Sequence, residues 1–382
     1  MSVDFYWRIS MHGDQRSLTE RASTRGGWAT GVPGGIAPAL RDGRDDGYAY
    51  IEHMADVARS AEAAGFYGGL MPSFPFTEDP WATAAMLARE TRGFRFMIAF
   101  QPGFLNPVHT ARMAASLQRA TNGRVVYNVI TGGGGPAQLW WGDEVAHDDR
   151  YARTSEFLHV HKGVWKERPY SFDGRFYRVE NGALPDALAA EELPEIYFSG
   201  SSPAAIDAAG QHADHYLSWM EPTSALAEKF ARVREHSAAL GRSPRFAVRV
   251  DVVARATEKA AWDVVRRGFE SADPEVLREW RTGDSVGAAR SLSFIDGPID
   301  DHRDLEVEPH VWGGFSLLRA GPAFGLVGSY EQVAGALDRL IGIGVDSFIL
   351  AGVPHLEEAQ RVGEEVLPLL RGSRTPEPVG RP

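Results

Sequence analysis

The sequence predicts a (β/α)8 TIM barrel with long insertion loops at the C-terminal face of the strands. Three observations carry that prediction. Short apolar segments alternate with amphipathic helical patterns along the chain, the strand–helix units reach eight, and no sharp change of composition divides the 382 residues. A doubly wound open sheet is the competing architecture. It usually has fewer strands and an early G-x-G-x-x-G turn, which is not found here.

Taken in order, the strands fall at 4–10, 67–72, 94–100, 124–130, 195–199, 214–219, 245–253 and 346–351. Helical patterns lie at 48–64, 80–91, 107–121, 151–165, 203–210, 223–240, 256–268, 328–343 and 356–370. The fourth strand is the most informative. Val125, Val126, Val129 and Ile130 are β-branched and nearly continuous, as a parallel strand covered on both faces requires. Polar Asn128 and Thr131 stand at its C-terminal end, before the glycines 132–135, which carry no side chains to block a planar ligand. In a barrel, that end of the strand is where ligands bind.

Three segments exceed a minimal barrel. Residues 14–46 are rich in Gly and Arg; 167–194 contain a β-hairpin pattern around Asp173-Gly174; 269–327 separate the seventh and eighth strands. The first and third follow strands one and seven, so they belong on the ligand-binding face as lids. One domain is expected over 1–371, with a Pro-, Gly- and Arg-rich tail at 372–382.

Composition narrows the partners. Hydrophobic residues at 43% and charged residues at 24% support a packed core, and a net charge of −11 argues against nucleic acid. The absence of cysteine excludes disulfides and thiolate chemistry. No signal peptide or apolar run of about 20 residues is visible, so no membrane is involved and a soluble cytoplasmic protein is expected. His109, His147, His159 and His161 are scattered, so no metal is expected. A G-x-S-x-G hydrolase elbow is also absent.

Polar residues gather at the predicted strand ends. His12 follows strand one, Gln101 strand three, and Gly200-Ser201-Ser202-Pro203 strand five. The last is either an ordinary helix cap or a phosphate site built on free N–H groups, to which Tyr151 could add a phenol. Trp219 ends strand six, as a core aromatic or a ligand wall. Arg249 and Asp251 share a face of strand seven, where they either line a site or neutralise each other. Arg319 is a lone cation in an apolar run, and burial would demand an anionic partner. His12 and His355 are either acid–base groups or satisfied core histidines.

Together these stretches resemble the flavin-dependent alkanesulfonate monooxygenases of the bacterial luciferase-like superfamily. The likeness runs to about residue 371 and rests on seven ordered matches. They are Met11-His12-Gly13-Asp14, Asn122-Gly123-Arg124, Asn128 to Gly132, Phe198 to Ser202, Trp219 to Pro222, Thr282 to Gly287 and Pro354 to Ala359. The resemblance implies reduced FMN (FMNH2) delivered by a separate NAD(P)H:FMN reductase, with O2 giving a flavin (hydro)peroxide. It further implies a small-molecule substrate, in sulfonate members cleaved at C–S to sulfite and an aldehyde, and a homo-oligomer, dimer or tetramer. By the same likeness the FMN phosphate lies at Tyr151, Ser201 and Ser202, and the ring near Asn128 and Thr131. Arg249 and Arg319 align with the arginines serving the sulfonate and the peroxyflavin, and Trp219 and His355 with other active-site positions, beside His12 in the first matching stretch. Three positions depart from the pattern: Asp251, Val353 and Thr77 replace a His, a Tyr and a Cys. Asp251 beside Arg249 lowers the local positive potential, which opens two further readings. One is a tailoring monooxygenase (hydroxylation, N-oxidation or Baeyer–Villiger type) acting on a polar non-sulfonate; the other is a deazaflavin-dependent oxidoreductase or a flavin-binding protein without catalysis.

Overall fold

The computed structural model describes residues 3–9, 11, 50–73, 77–132, 138, 139, 141–270, 290, 293–295, 297–315 and 324–370. The first predicted lid (14–46), His12, Arg319 and the 372–382 tail lie outside the described residues.

The first half contains strand β1 (Asp4–Arg8), helix α1 (Tyr50–Ala63), β2 (Gly68–Met71), α2 (Pro80–Leu87), β3 (Arg95–Phe100), α3 (Pro107–Thr121), β4 (Val125–Val129) and α4 (His147–Lys166). The middle contains β5 (Tyr170–Asp173), β6 (Arg178–Gly182), α5 (Asp186–Ala189), β7 (Ile196–Ser199), α6 (Pro203–His212), β8 (His215–Trp219), α7 (Thr223–Ala239), β9 (Arg245–Arg255) and α8 (Glu258–Glu270). After these come β10 (Glu306–Glu308), β11 (Val311–Trp312), β12 (Gly325–Ser329), α9 (Tyr330–Gly342), β13 (Val345–Ala351) and α10 (His355–Glu365). All eight predicted barrel strands form. They pair in parallel in the order β1-β2-β3-β4-β7-β8-β9-β13, and β13 closes the ring onto β1.

Local chemistry explains the helix starts. Asp79, Asn106 and Ser202 each cap a helix through the side-chain oxygen and precede a proline at the first helical position, where no N–H is needed. Three boundaries differ from the pattern by four residues or more, one of them the end of α2 at Leu87 rather than 91. Helix α4 begins at His147 rather than 151, because its first turn is polar; Asp148 and Asp149 there favour the helix dipole but give no apolar period. Helix α10 stops at Glu365, and Pro368 sits in a 3₁₀ turn (Leu367–Leu369) that the helix could not have continued through.

Side chains alternate along each strand, so one face points into the barrel. A single buried layer crosses it: Tyr6, Leu70, Met97, Val126, Tyr197, Leu217, Ala247 and Ile349, one residue from each strand. Two residues further along the strands, the inward positions become Arg8, Asn128, Ser199, Trp219 and Arg249. The large apolar cluster lies outside the ring, between strands and helices.

Two additions flank the barrel. The predicted hairpin is present as antiparallel β5–β6, and its turn is clamped by the Glu156 carboxylate. That group accepts from the N–H of Arg175 (3.1 Å), Phe176 (2.7 Å) and Tyr177 (2.6 Å). The third predicted insertion holds structure that the pattern did not show. Its described part supplies β10, β11 and β12, and β12 pairs in parallel with the far half of β9, at Asp251 to Arg255. No described helix is long and apolar enough to cross a membrane.

Candidate active site

At the ends of β3 and β4 the barrel gathers hydrogen-bond acceptors. Asn128 points inward and is buried; Thr131 follows the strand. Gly132 has φ +98°, and a Cβ there would stand 2.4 Å from Gln138 Oε1 and 2.9 Å from Gln101 Oε1. Only glycine serves both that backbone and that crowding. Asn128 Oδ1, Thr131 Oγ1 and Gln101 Oε1 are buried and have no hydrogen-bond partner among the described residues. Leaving such atoms unpaired costs about 1–3 kcal/mol each, so a site of this kind calls for a donor beyond the described residues. Gln138 also bonds Asp143, which accepts two bonds from Arg153 at 3.0 and 2.6 Å. Burial alone would raise the Asp143 carboxyl, but Arg153 and Gln138 hold it below its usual range.

The turn from β7 into α6 forms a second group. Gly200 has φ +144°, and a Cβ there would meet Ala205 Cβ at 2.5 Å and the Tyr151 hydroxyl at 2.9 Å. Ser202 Oγ accepts from Ala205 N at 3.2 Å as the helix cap, and the Tyr151 phenol lies close to the same turn. Burial raises the Tyr151 phenol, which therefore remains a hydroxyl donor at neutral pH. Tyr216, which sequence reasoning missed, donates to Gly200 O at 2.6 Å. The three residues that the resemblance assigns to the FMN phosphate thus stand near one helix N-terminus.

The third group lies on β8, β9 and β1. The Arg249 guanidinium makes two bonds to the Asp251 carboxylate, one of them Nη2 to Oδ1 at 3.2 Å, and both side chains are buried. Trp219 pairs in register with Arg249, and the guanidinium carbon lies 5.4 Å from its ring centroid. The indole is 38% exposed, which makes it an accessible wall of the mouth rather than a core aromatic. Buried Arg8 reaches His355 Nε2 at 3.3 Å, while Trp7 Nε1 donates to the His355 carbonyl at 2.9 Å. Nothing in the pattern of β1 marked Arg8 beyond its place at the strand end.

The loop after Trp219 is anchored from the insertion. The Glu221 carboxylate accepts from Arg290 Nε and Nη2, each at 2.9 Å, and pairs with Lys229, whose ammonium also donates to Ser218 Oγ at 3.1 Å. Of the departing positions, Val353 is buried beside His355, and Thr77 Oγ1 donates to Pro72 O at 3.5 Å. Among the described residues no group of His, Asp and Glu is arranged to hold a metal.

A closed parallel barrel with a polar mouth at the C-terminal ends of its strands defines a (β/α)8 protein with a built ligand site. The chain belongs to the luciferase-like monooxygenase family, whose profile matches residues 33–347. Among solved structures it is similar to DmoA of Hyphomicrobium sulfonivorans (19% identity, TM-score 0.72), over 98% of this chain and 90% of that one. It is also similar to a riboflavin lyase determined with modified FMN and riboflavin (19%, TM-score 0.71, 98% and 93%). A third is the EDTA monooxygenase of Chelativorans sp. BNC1 (16%, TM-score 0.71, 97% and 93%). At these identities the likeness establishes the fold.

Proposed function

We propose that this chain is an FMNH2-dependent monooxygenase that takes its reduced flavin from a separate NAD(P)H:FMN reductase. The observation that carries the reading is the set of unpaired buried acceptors at Asn128, Thr131 and Gln101 beside a glycine turn. A reduced isoalloxazine fits them, because its polar edge offers N–H donors to such oxygens. Tyr151, Ser201 and Ser202 suit the phosphate, with hydroxyl donors and helix N–H groups facing one anion. Bound there, reduced FMN would activate O2, and Trp219 and the β9 pair would bound the space where substrate meets it. Isothermal titration of the anaerobic protein with FMNH2, and with a reduced deazaflavin as competitor, tests the cofactor. Stronger binding of the deazaflavin would replace the monooxygenase reading with a dehydrogenase.

The substrate reading turns on Arg249. An unpaired guanidinium would suit a sulfonate bidentately. Here Asp251 already occupies that fork, and two charges about 4 Å apart interact by roughly 4 kcal/mol at an effective dielectric of 20. The pair favours a polar, hydroxyl- or amine-bearing substrate, with Asp251 as hydrogen-bond partner or base. C–S cleavage of a sulfonate is the second reading; it is supported by the presence of Arg249 in the mouth and by the resemblance that assigns Arg319. A reductase-coupled assay for sulfite across a panel of sulfonates separates the two. Sulfite release at enzymatic rates would overturn the non-sulfonate reading. Full turnover by Asp251→Asn would remove the role given to the carboxylate.

A further inference from the structure

We propose that Arg8 is a positioning residue that fixes the proton of His355 on Nδ1. A guanidinium carries five N–H donors and no acceptor, so a ring nitrogen within hydrogen-bond distance of it must be the acceptor. Arg8 Nη1 stands 3.3 Å from His355 Nε2, with both side chains buried. Nε2 therefore presents its lone pair to Arg8, and the proton of the neutral imidazole sits on Nδ1. The adjacent residue of β1 fixes the same histidine by its backbone, since Trp7 Nε1 donates to the His355 carbonyl at 2.9 Å. Alternation places Trp7 on the outer face of the strand and Arg8 on the inner face, so two consecutive residues hold His355 from the two sides of β1.

The consequence for the mouth follows directly. While Arg8 is in place, His355 cannot accept a proton through Nε2; what it can offer is the Nδ1 hydrogen. This deepens the proposed monooxygenase, and its functional part rests on that reading: His355 acts there as a hydrogen-bond donor and not as an Nε2 base. The arrangement has an internal counterpart. His161 Nδ1 faces the Pro107 carbonyl at 3.3 Å, and a carbonyl only accepts, so that ring also carries its proton on Nδ1.

The test is a long-range ¹H–¹⁵N spectrum of ¹⁵N-histidine-labelled protein at neutral pH, with His355 assigned by its loss in His355→Gln and His161 as reference. The expected result is an Nδ1–H pattern for His355 in the native chain, retained in Arg8→Lys. In Arg8→Met it shifts to Nε2–H or to a mixture. An Nε2–H or doubly protonated His355 in the native chain would overturn the proposal, as would an unchanged tautomer in Arg8→Met. The native spectrum decides the point even if Arg8→Met fails to fold. In turnover, Arg8→Met should lower kcat roughly 100-fold, with FMN affinity held within about twofold and partial rescue by Arg8→Lys. Absence of oxygenase activity in the native chain would remove the functional reading and leave the tautomer result standing.

Discussion

Tyr6, Val126, Leu217 and Ala247 lie one inward step below Arg8, Asn128, Trp219 and Arg249 on the same four strands. The two sets are separated by about 7 Å of strand rise. The lower layer is closed and apolar apart from its tyrosines, and Tyr197 satisfies its hydroxyl on Ser347 at 3.0 Å. The upper layer holds a buried ion pair, unpaired acceptors and an exposed indole. Polarity alone does not mark the functional end, because both layers contain it. Unmet hydrogen bonding at the strand ends does: below, the Tyr197 hydroxyl is answered by Ser347, whereas above, Arg249 is answered by Asp251 but Asn128 Oδ1 has no partner among the described residues.

That contrast can be broken or sharpened by substitution. The largest effect is expected from Asp251→Ala, which leaves the Arg249 guanidinium buried without its carboxylate. Unfolding by denaturant should show a loss of about 3–5 kcal/mol; a loss below about 1 kcal/mol would mean that the pair is solvated and the mouth is not built as described.

Acid titration should come next. Burial lowers His161 from 6.5 to about 4, so the folded ring refuses a proton that the unfolded chain accepts below pH 6.5. Stability is full above that pH and falls as pH drops toward 4, by about 3 kcal/mol through this group at roughly 1.4 kcal/mol per unit. His161→Gln should flatten that part of the pH–stability curve, while leaving FMN affinity intact because His161 bonds Tyr127 on the outer face of β4.

Ser202→Ala probes the mouth at smaller cost. Loss of the cap should remove about 1 kcal/mol of stability, and calorimetry should show FMN bound at least tenfold more weakly. A cap that matters for folding only would leave the affinity unchanged. The smallest effect belongs to the apolar layer. Ile349→Val should cost about 0.5–1 kcal/mol and leave both FMN affinity and kcat as they were; a change in kcat would show that the layer and the mouth are coupled.

The barrel was legible because its eight strands are short apolar runs with charged or glycine-rich flanks, and each period matches the face it buries. Ranges missed by a few residues where polarity hid the period, as at His147 to Arg150 of α4. Strand β12 was invisible for another reason. Gly325-Leu326-Val327-Gly328-Ser329 carries two glycines in five residues and is set by its pairing to β9, which no local pattern encodes. In the site, Asn128, Ser202 and Arg249 could be proposed from strand ends and a cap, and Tyr151 from the family resemblance. Arg8, Gln138, Tyr216 and the Glu221–Lys229–Arg290 cluster could not. Arg8 meets His355 and Arg290 meets Glu221 only in the closed barrel, and nothing in the local pattern marks the shorter-range pairs of Gln138 with Asp143 and Lys229 with Glu221.

Strand β9 has a further consequence. Its near half closes the barrel against β8 and β13, and its far half carries β12. Everything between Arg255 and Gly325 therefore leaves and returns on one strand, and the return point is fixed tightly. A Cβ on Gly325 would stand 2.4 Å from the Asp251 carbonyl oxygen and 2.7 Å from Asp251 Cβ. The described part of the intervening chain is held at two further points, Arg290 on Glu221 and Glu308 on Thr223. Doubling the length between such anchors would cost only about 0.6 kcal/mol of closure entropy, so the chain can be lengthened while Arg249 and Asp251 keep their places.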